Sequence, residues 1–450
     1  MRVWIKQPLI TWDPMTGARR DGGLVVAGNR IVEHVAAGAT PDAIDEIVDA
    51  RDLVLLPGLI NTHHHFYQTL TRAHINALDK PLFPWLQALY PVWAGLTPEM
   101  IDLSTRLAAA ELLLSGCTTA ADHHYVFSAS LTDAIDVQAQ AMRAVGMRAV
   151  LTRGSMSLGE SAGGLPPDAV CQDEALILRD SERLLKNVHD DADDALCQIA
   201  LAPCSPFSVT PGLMRDTATL AAQHDALLHT HLAETEDENA FCLETFGRRP
   251  LDHIDDCGWL ECRTWFAHGI HFTPAEIERI GAAGAGVCHC PSSNMLLASG
   301  TCHVAELEAA GANVGLGVDG SASNDGSNLI QEVRQAFLLQ RLGAGAATSH
   351  LDALRWATEG SARLLHRPQL GHLGIGACAD LALFALDEAR FSGAEDPLAA
   401  LVLCGATNAR HVLVDGDWRV RDGTLTSIDL EGLQAAHRAA ARELWAGVSA

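Results

Sequence analysis

Pro57-Gly-Leu-Ile-Asn-Thr-His-His-His65 carries the end of an apolar run, Leu53 to Ile60, into two alternate histidines, His63 and His65. On an extended segment, residues two apart point to the same side, so both imidazoles can grip one metal ion. A hydrophobic strand that ends in a metal-binding pair is the layout of a catalytic site at the C-terminal mouth of a barrel. The rest of the chain tests that reading.

Outward from this segment, short apolar runs alternate with helix-like stretches. The runs are Leu53 to Ile60, Thr118 to Asp122, Arg148 to Thr152, Gln198 to Ala202, Ala226 to His231, Thr264 to His268, Gly286 to Cys290 and Asn313 to Val318. Between them, Pro98 to Leu114, Leu131 to Val145 and Pro211 to His224 carry helix punctuation. Eight strand-helix units point to an α/β fold, a (β/α)8 TIM-like barrel over 57–373 more than a doubly wound sheet, an alternative that counting alone leaves open. The chain ends read as β-hairpins instead. Gly23 to Ala27 and Arg30 to Val32 flank Gly28-Asn29, and His411 to Val414 and Trp418 to Val420 flank Asp415-Gly416. Neither end supplies enough strands alone, so 1–56 and 374–450 are expected to combine into one small β-sandwich domain. Leu351 to Leu365 would bridge back to it, and Leu433 to Leu444 would form a terminal helix.

The strand ends carry a selective set of polar residues. The first offers His63 and His65, the fifth His231, the sixth His268 and the eighth Asp319. Three imidazoles and a carboxylate suffice to hold one divalent ion, Zn2+ or Fe2+, while leaving a position for water. Glu234 stands three residues beyond His231, close enough to shuttle protons without occupying the metal. With 21 histidines in the chain, chance pairs are expected. Their joint placement at strand ends is what singles these out.

Pro57 to His65, His229-Thr-His-Leu-Ala-Glu234, Ala267-His268-Gly, His289-Cys-Pro-Ser-Ser-Asn294 and Gly315-Leu-Gly-Val-Asp-Gly320 together resemble the amidohydrolase superfamily, in its mononuclear deaminase branch. The resemblance spans nearly the whole barrel. It implies that His63, His65, His231 and Asp319 are metal ligands, that Glu234 carries protons, and that His268 orients the attacking water. It also implies hydrolytic deamination of a small ring, with Asp319 taking a proton from water and Glu234 protonating the ring nitrogen beside the attacked carbon. No lysine ends the fourth strand, where Ala202-Pro-Cys-Ser205 stands, so a dinuclear centre bridged by a carbamate is not expected.

Substrate identity rests on less generic positions. The aromatics of His65 to Arg72 and Pro81 to Tyr90, Trp85 among them, could roof a flat heterocycle, and Gln68 has both a donor and an acceptor with which to read a ring amide. His123 or His124, Arg153 and Cys204 are further candidates at the expected mouth. The combination of Asp122-His-His-Tyr125, Ala202 to Phe207 and the Gln68 segment resembles aminohydrolases that attack the 2-amino carbon of oxidised guanine. Hydrolases of s-triazines and isoxanthopterin share much of it. No clear residue set for a ribose is seen.

Composition narrows the classes further. Acidic side chains exceed basic ones by 56 to 31, for a net charge of -25, which disfavours a nucleic-acid polymer as partner. No signal-peptide stretch or long apolar run appears, so a cytoplasmic protein without membrane contact is expected. Self-association is left open. Gly315 to Gly320 formally matches a dinucleotide fingerprint, but Asp319 would face the pyrophosphate with negative charge. Cys288 and Cys290 lack a second pair at zinc-finger spacing. A metal-free scaffold of the same fold is the remaining alternative, and the intact residue set argues against it.

Overall fold

The computed structural model describes residues 1–447. Its centre is an eight-stranded parallel sheet in strict chain order. The strands are β1 (Leu59–Asn61), β2 (Cys117–His124), β3 (Arg148–Ser155), β4 (Cys197–Pro203), β5 (Leu228–Leu232), β6 (Thr264–His268), β7 (Gly286–His289) and β8 (Asn313–Leu316). The first and last strands meet through backbone bonds, Thr62 N to Leu316 O and Asp319 N to His63 O, each 3.0 Å. These bonds form a seam that curls the sheet into a barrel. Three of the outer helices start at Thr-Pro. Proline presets the first helical residue, and the threonine hydroxyl accepts from a free amide two or three positions on. Thr97, Thr210 and Thr273 accept in this way from Met100, Leu213 and Glu276.

The apolar run that opened the sequence reading is not one strand. Leu53–Pro57 belongs to a separate seven-stranded sheet, antiparallel to Leu381–Ala385, and only Leu59–Asn61 enters the barrel. The switch falls at Gly58, where a Cβ would lie 2.2 Å from the Thr118 hydroxyl, so the close crossing tolerates no side chain. Period-two alternation explains why the run is apolar throughout: Leu53 and Leu55 face one core, Val54 and Leu56 another.

The two terminal hairpins form as expected but lie in different sheets. Gly23–Ala27 and Arg30–Val35 join Arg2–Lys6 and Glu46–Asp49, whereas His411–Val414 and Asp417–Arg421 join the seven-stranded sheet. Val3, Ile5, Leu24, Val26, Leu55, Leu381, Leu383 and Leu413 pack between the two sheets as a sandwich core. Buried Arg148, at the start of β3, pairs with Asp380 and Asp415 and ties barrel to sandwich. The bridging stretch is helical from His350 to Leu364, with a π-helical turn at Trp356–Gly360, and the terminal helix runs Leu430–Ala446. Among the described residues no helix is long and apolar enough to cross a membrane.

Candidate active site

His63 and His65 lie just past β1, His231 is on β5, His268 ends β6, and Asp319 follows β8. Two of these sit in the left-handed backbone region, His268 at φ 76° and Asp319 at φ 62°. That conformation costs a non-glycine residue about 1–3 kcal/mol and bends each strand end inward over the mouth.

Carbonyl groups only accept hydrogen bonds, so the second ring nitrogens fix the tautomers. His65 Nδ1 donates to His123 O at 2.6 Å and His231 Nδ1 to Cys204 O at 2.7 Å. His229 Nδ1 donates to Trp265 O at 2.9 Å, which leaves its Nε2 to accept from His63 Nδ1 at 2.8 Å. Each Nε2 of His63, His65 and His231 is therefore a lone pair. They converge: His65 Nε2 lies 3.2 Å from His231 Nε2, and Asp319 Oδ1 lies 3.2 Å from both His63 Nε2 and His65 Nε2. The His63 Nε2 is buried and has no hydrogen-bond partner.

Burial holds His63 and His231 well below the usual imidazole range. Two overlapping buried groups could hold a metal ion, His63 with His65, His123 and His231, and His63 with His268 and Asp319. The three separations of 3.2 Å fit ligands about 2.0–2.1 Å from a tetrahedral ion, which lie roughly 3.3 Å apart.

Glu234 follows β5, its Oε2 3.4 Å from His268 Nε2. Burial, with Asp319 and Glu238 nearby, pushes its carboxyl well above the usual range. Glu238 fixes the turn by accepting from the Ala233 and Glu234 amides. His268 Nδ1 faces Asn294 Oδ1 at 3.0 Å, which aims Nε2 between Glu234 and Asp319 Oδ2, the latter 3.9 Å away.

A cavity lies over these groups. Its wall includes Gln68, Trp85, Cys204, Tyr90, Tyr125 and Phe207. The helix α1 (Leu82–Trp93) supplies Leu82, Trp85, Leu86 and Tyr90 from one face, forming a roof. Ala322, in the loop after Asp319, is held twice by that roof region: its amide donates to Gln68 Oε1 at 3.3 Å and its carbonyl accepts from Trp85 Nε1 at 3.1 Å. At Gly320 a Cβ would lie 1.8 Å from Gln68 Oε1, so a side chain there would displace the Gln68 amide.

Three expected substrate contacts are not in the cavity wall. Arg153 is turned outward between helices, with Nε on Asp180 at 2.7 Å and its guanidinium over Phe127. His124 bonds Val126 O and packs against Phe127 and Tyr67. Strand alternation sends its neighbour His123 inward, where its ring stacks on His231. Conversely, Tyr90, Tyr125, Phe207, His229 and Asn294 were not singled out for roles. For His229, its place two residues before His231 was the available signal; Tyr125 and Phe207 carried none that separates wall from core.

The amidohydrolase family profile matches residues 54–419, and the chain belongs to that family. Its relatives narrow the position further. The chain is 61% identical over 449 residues to the 8-oxoguanine deaminase of Pseudomonas aeruginosa, covering 99% of this chain and 100% of that one. It is 38% identical to the hydroxydechloroatrazine ethylaminohydrolase of Pseudomonas sp. strain ADP, covering 91% and 87%. The crystal structure of atrazine chlorohydrolase from Arthrobacter aurescens complexed with zinc superimposes with TM-score 0.93 at 29% identity, covering 98% and 100%.

Proposed function

We propose that this chain is a metal-dependent 8-oxoguanine deaminase, hydrolysing 8-oxoguanine to urate and ammonia. The observation that carries this reading is full-length 61% identity to an enzyme of that activity, joined to a buried floor equipped for hydrolysis. His63, His65, His231 and Asp319 would hold one divalent ion, for which zinc is favoured by the zinc-containing structural relative. Such an ion, when bound, acidifies a water and polarises what it touches.

The chain's own groups supply the proton traffic. Asp319 accepts the proton that water gives up as its oxygen bonds to C2 of the purine. Glu234, its carboxyl raised by burial, donates to the adjoining ring nitrogen, so the electron pair displaced from the ring ends on a neutral atom. His268 orients the water between the two carboxylates. Asp319 then returns its proton to the amine, the C2–N bond breaks as the C2 hydroxyl becomes a carbonyl and gives its proton to Glu234, and ammonia leaves. Gln68, Trp85 and Cys204 line the substrate seat.

The decisive assay measures ammonia release from 8-oxoguanine, guanine, isoxanthopterin and hydroxyatrazine. The expected order puts 8-oxoguanine first in kcat/KM. Turnover of another substrate with none of 8-oxoguanine would overturn the assignment.

A further inference from the structure

Several polar groups of the cavity wall are committed within the protein. Trp85 Nε1 and Gln68 Oε1 are spent on Ala322, and Ser323 Oγ on Gly320 O and Ser293. Tyr90 is the exception on α1. Its side chain lines the cavity and is 0% exposed, yet its hydroxyl is buried without any hydrogen-bond partner. A buried hydroxyl left unpaired destabilises the fold, and phenylalanine would fill the same space without that cost. Tyr90 thus combines a place in the cavity wall with a hydroxyl that has no partner in the protein, and such a donor is matched to something that arrives there.

We infer that the Tyr90 hydroxyl donates a hydrogen bond to an exocyclic oxygen of the substrate ring and is a specificity-determining residue of this site. The inference rests on the deaminase reading above. A phenol suits the role, because burial holds it well above its ordinary ionisation range and it stays a neutral donor. The neighbourhood is apolar: Leu82, Leu86 and Phe207 offer a ring oxygen no competing partner. An oxidised purine brings two such oxygens, one on each ring.

The test compares metal-loaded wild type with Tyr90→Phe, by kcat/KM for 8-oxoguanine and guanine and by thermal unfolding without substrate. The expected result is a fall in kcat/KM for 8-oxoguanine of about ten- to a hundredfold, with Tm unchanged or raised. If guanine turnover is unaffected, the bond is to the C8 oxygen; if it falls equally, to the C6 oxygen. Either pattern supports the role. Unchanged kcat/KM overturns it, and so does a loss that comes with a lowered Tm, because the hydroxyl would then serve the fold. Should the wild type release no ammonia from 8-oxoguanine but turn over isoxanthopterin, the substrate reading fails alone. The same wild-type to Tyr90→Phe ratio, taken with isoxanthopterin, then decides Tyr90.

Discussion

The floor and the roof of the cavity are built on opposite plans. On the floor, side chains from the ends of β1, β5, β6 and the segment after β8 converge, and nearly every ring nitrogen has one bond that sets its tautomer. The roof is one face of α1, mostly apolar, with a single uncommitted hydroxyl. Chemistry demands groups fixed to fractions of an ångström, which rigid strand ends provide. Recognition of a flat ring needs area and a few polar contacts, which a helix face provides.

Substitutions can break this contrast or sharpen it. The largest effect is expected from Asp319→Asn or removal of the ion by a chelator, each lowering kcat by about 10⁴-fold, with divalent metal restoring only the wild type. Metal content measured alongside turnover checks it; an Asp319→Asn protein that turns over normally would mean that the floor is wrongly assigned. Next, Glu234→Gln is expected to keep its metal and lose about 10³-fold in kcat, because a carboxamide carries no proton. Asn294→Ala frees His268 to rotate, and an effect of about 10- to 30-fold on kcat with little change in KM is expected from steady-state kinetics. On the roof, Trp85→Phe keeps the ring but drops the bond to Ala322 O, so KM should rise about threefold at constant kcat. A loss there as deep as that of Glu234→Gln would erase the distinction.

The smallest effect concerns pH and stability. Burial lowers His64, His124 and His289 to about 3 and His253 and His437 to about 4. In the unfolded chain these imidazoles take up protons near 6.5 while the folded ones do not, so stability falls as pH drops below 6.5. Asp122, Glu238 and Glu332, raised by burial to about 7, act oppositely, favouring the fold at low pH, but there are three of them against five. Thermal unfolding should therefore show Tm lower by about a few degrees at pH 5 than at pH 7, and His289→Gln should flatten that slope.

The floor was legible in the chain because metal ligation forces rare residue types onto strand ends, where His63, His65, His231, His268 and Asp319 stand out against apolar runs. The roof was legible only as an aromatic-rich stretch, since α1 shows the same apolar face whether it covers a core or a ligand. Arg153 and His124 misled for a related reason. Both lie near the C-terminal end of a strand, where alternation turns them outward, and the phase of an eight-residue strand such as Arg148–Ser155 cannot be read without its neighbours. The run Leu53 to Ile60 hid its switch of sheets because both halves are buried on both faces.

The seam of the barrel has a consequence for the protein's supply as well as its chemistry. The bond from Asp319 N to His63 O joins the first and last strands at two residues whose side chains point to the same ion position. An ion held there would act as a clasp on a hoop, and by mass action its binding energy would count toward keeping the hoop shut. The lifetime of the chain against proteases, and with it the amount that accumulates, would then follow the availability of divalent metal during growth.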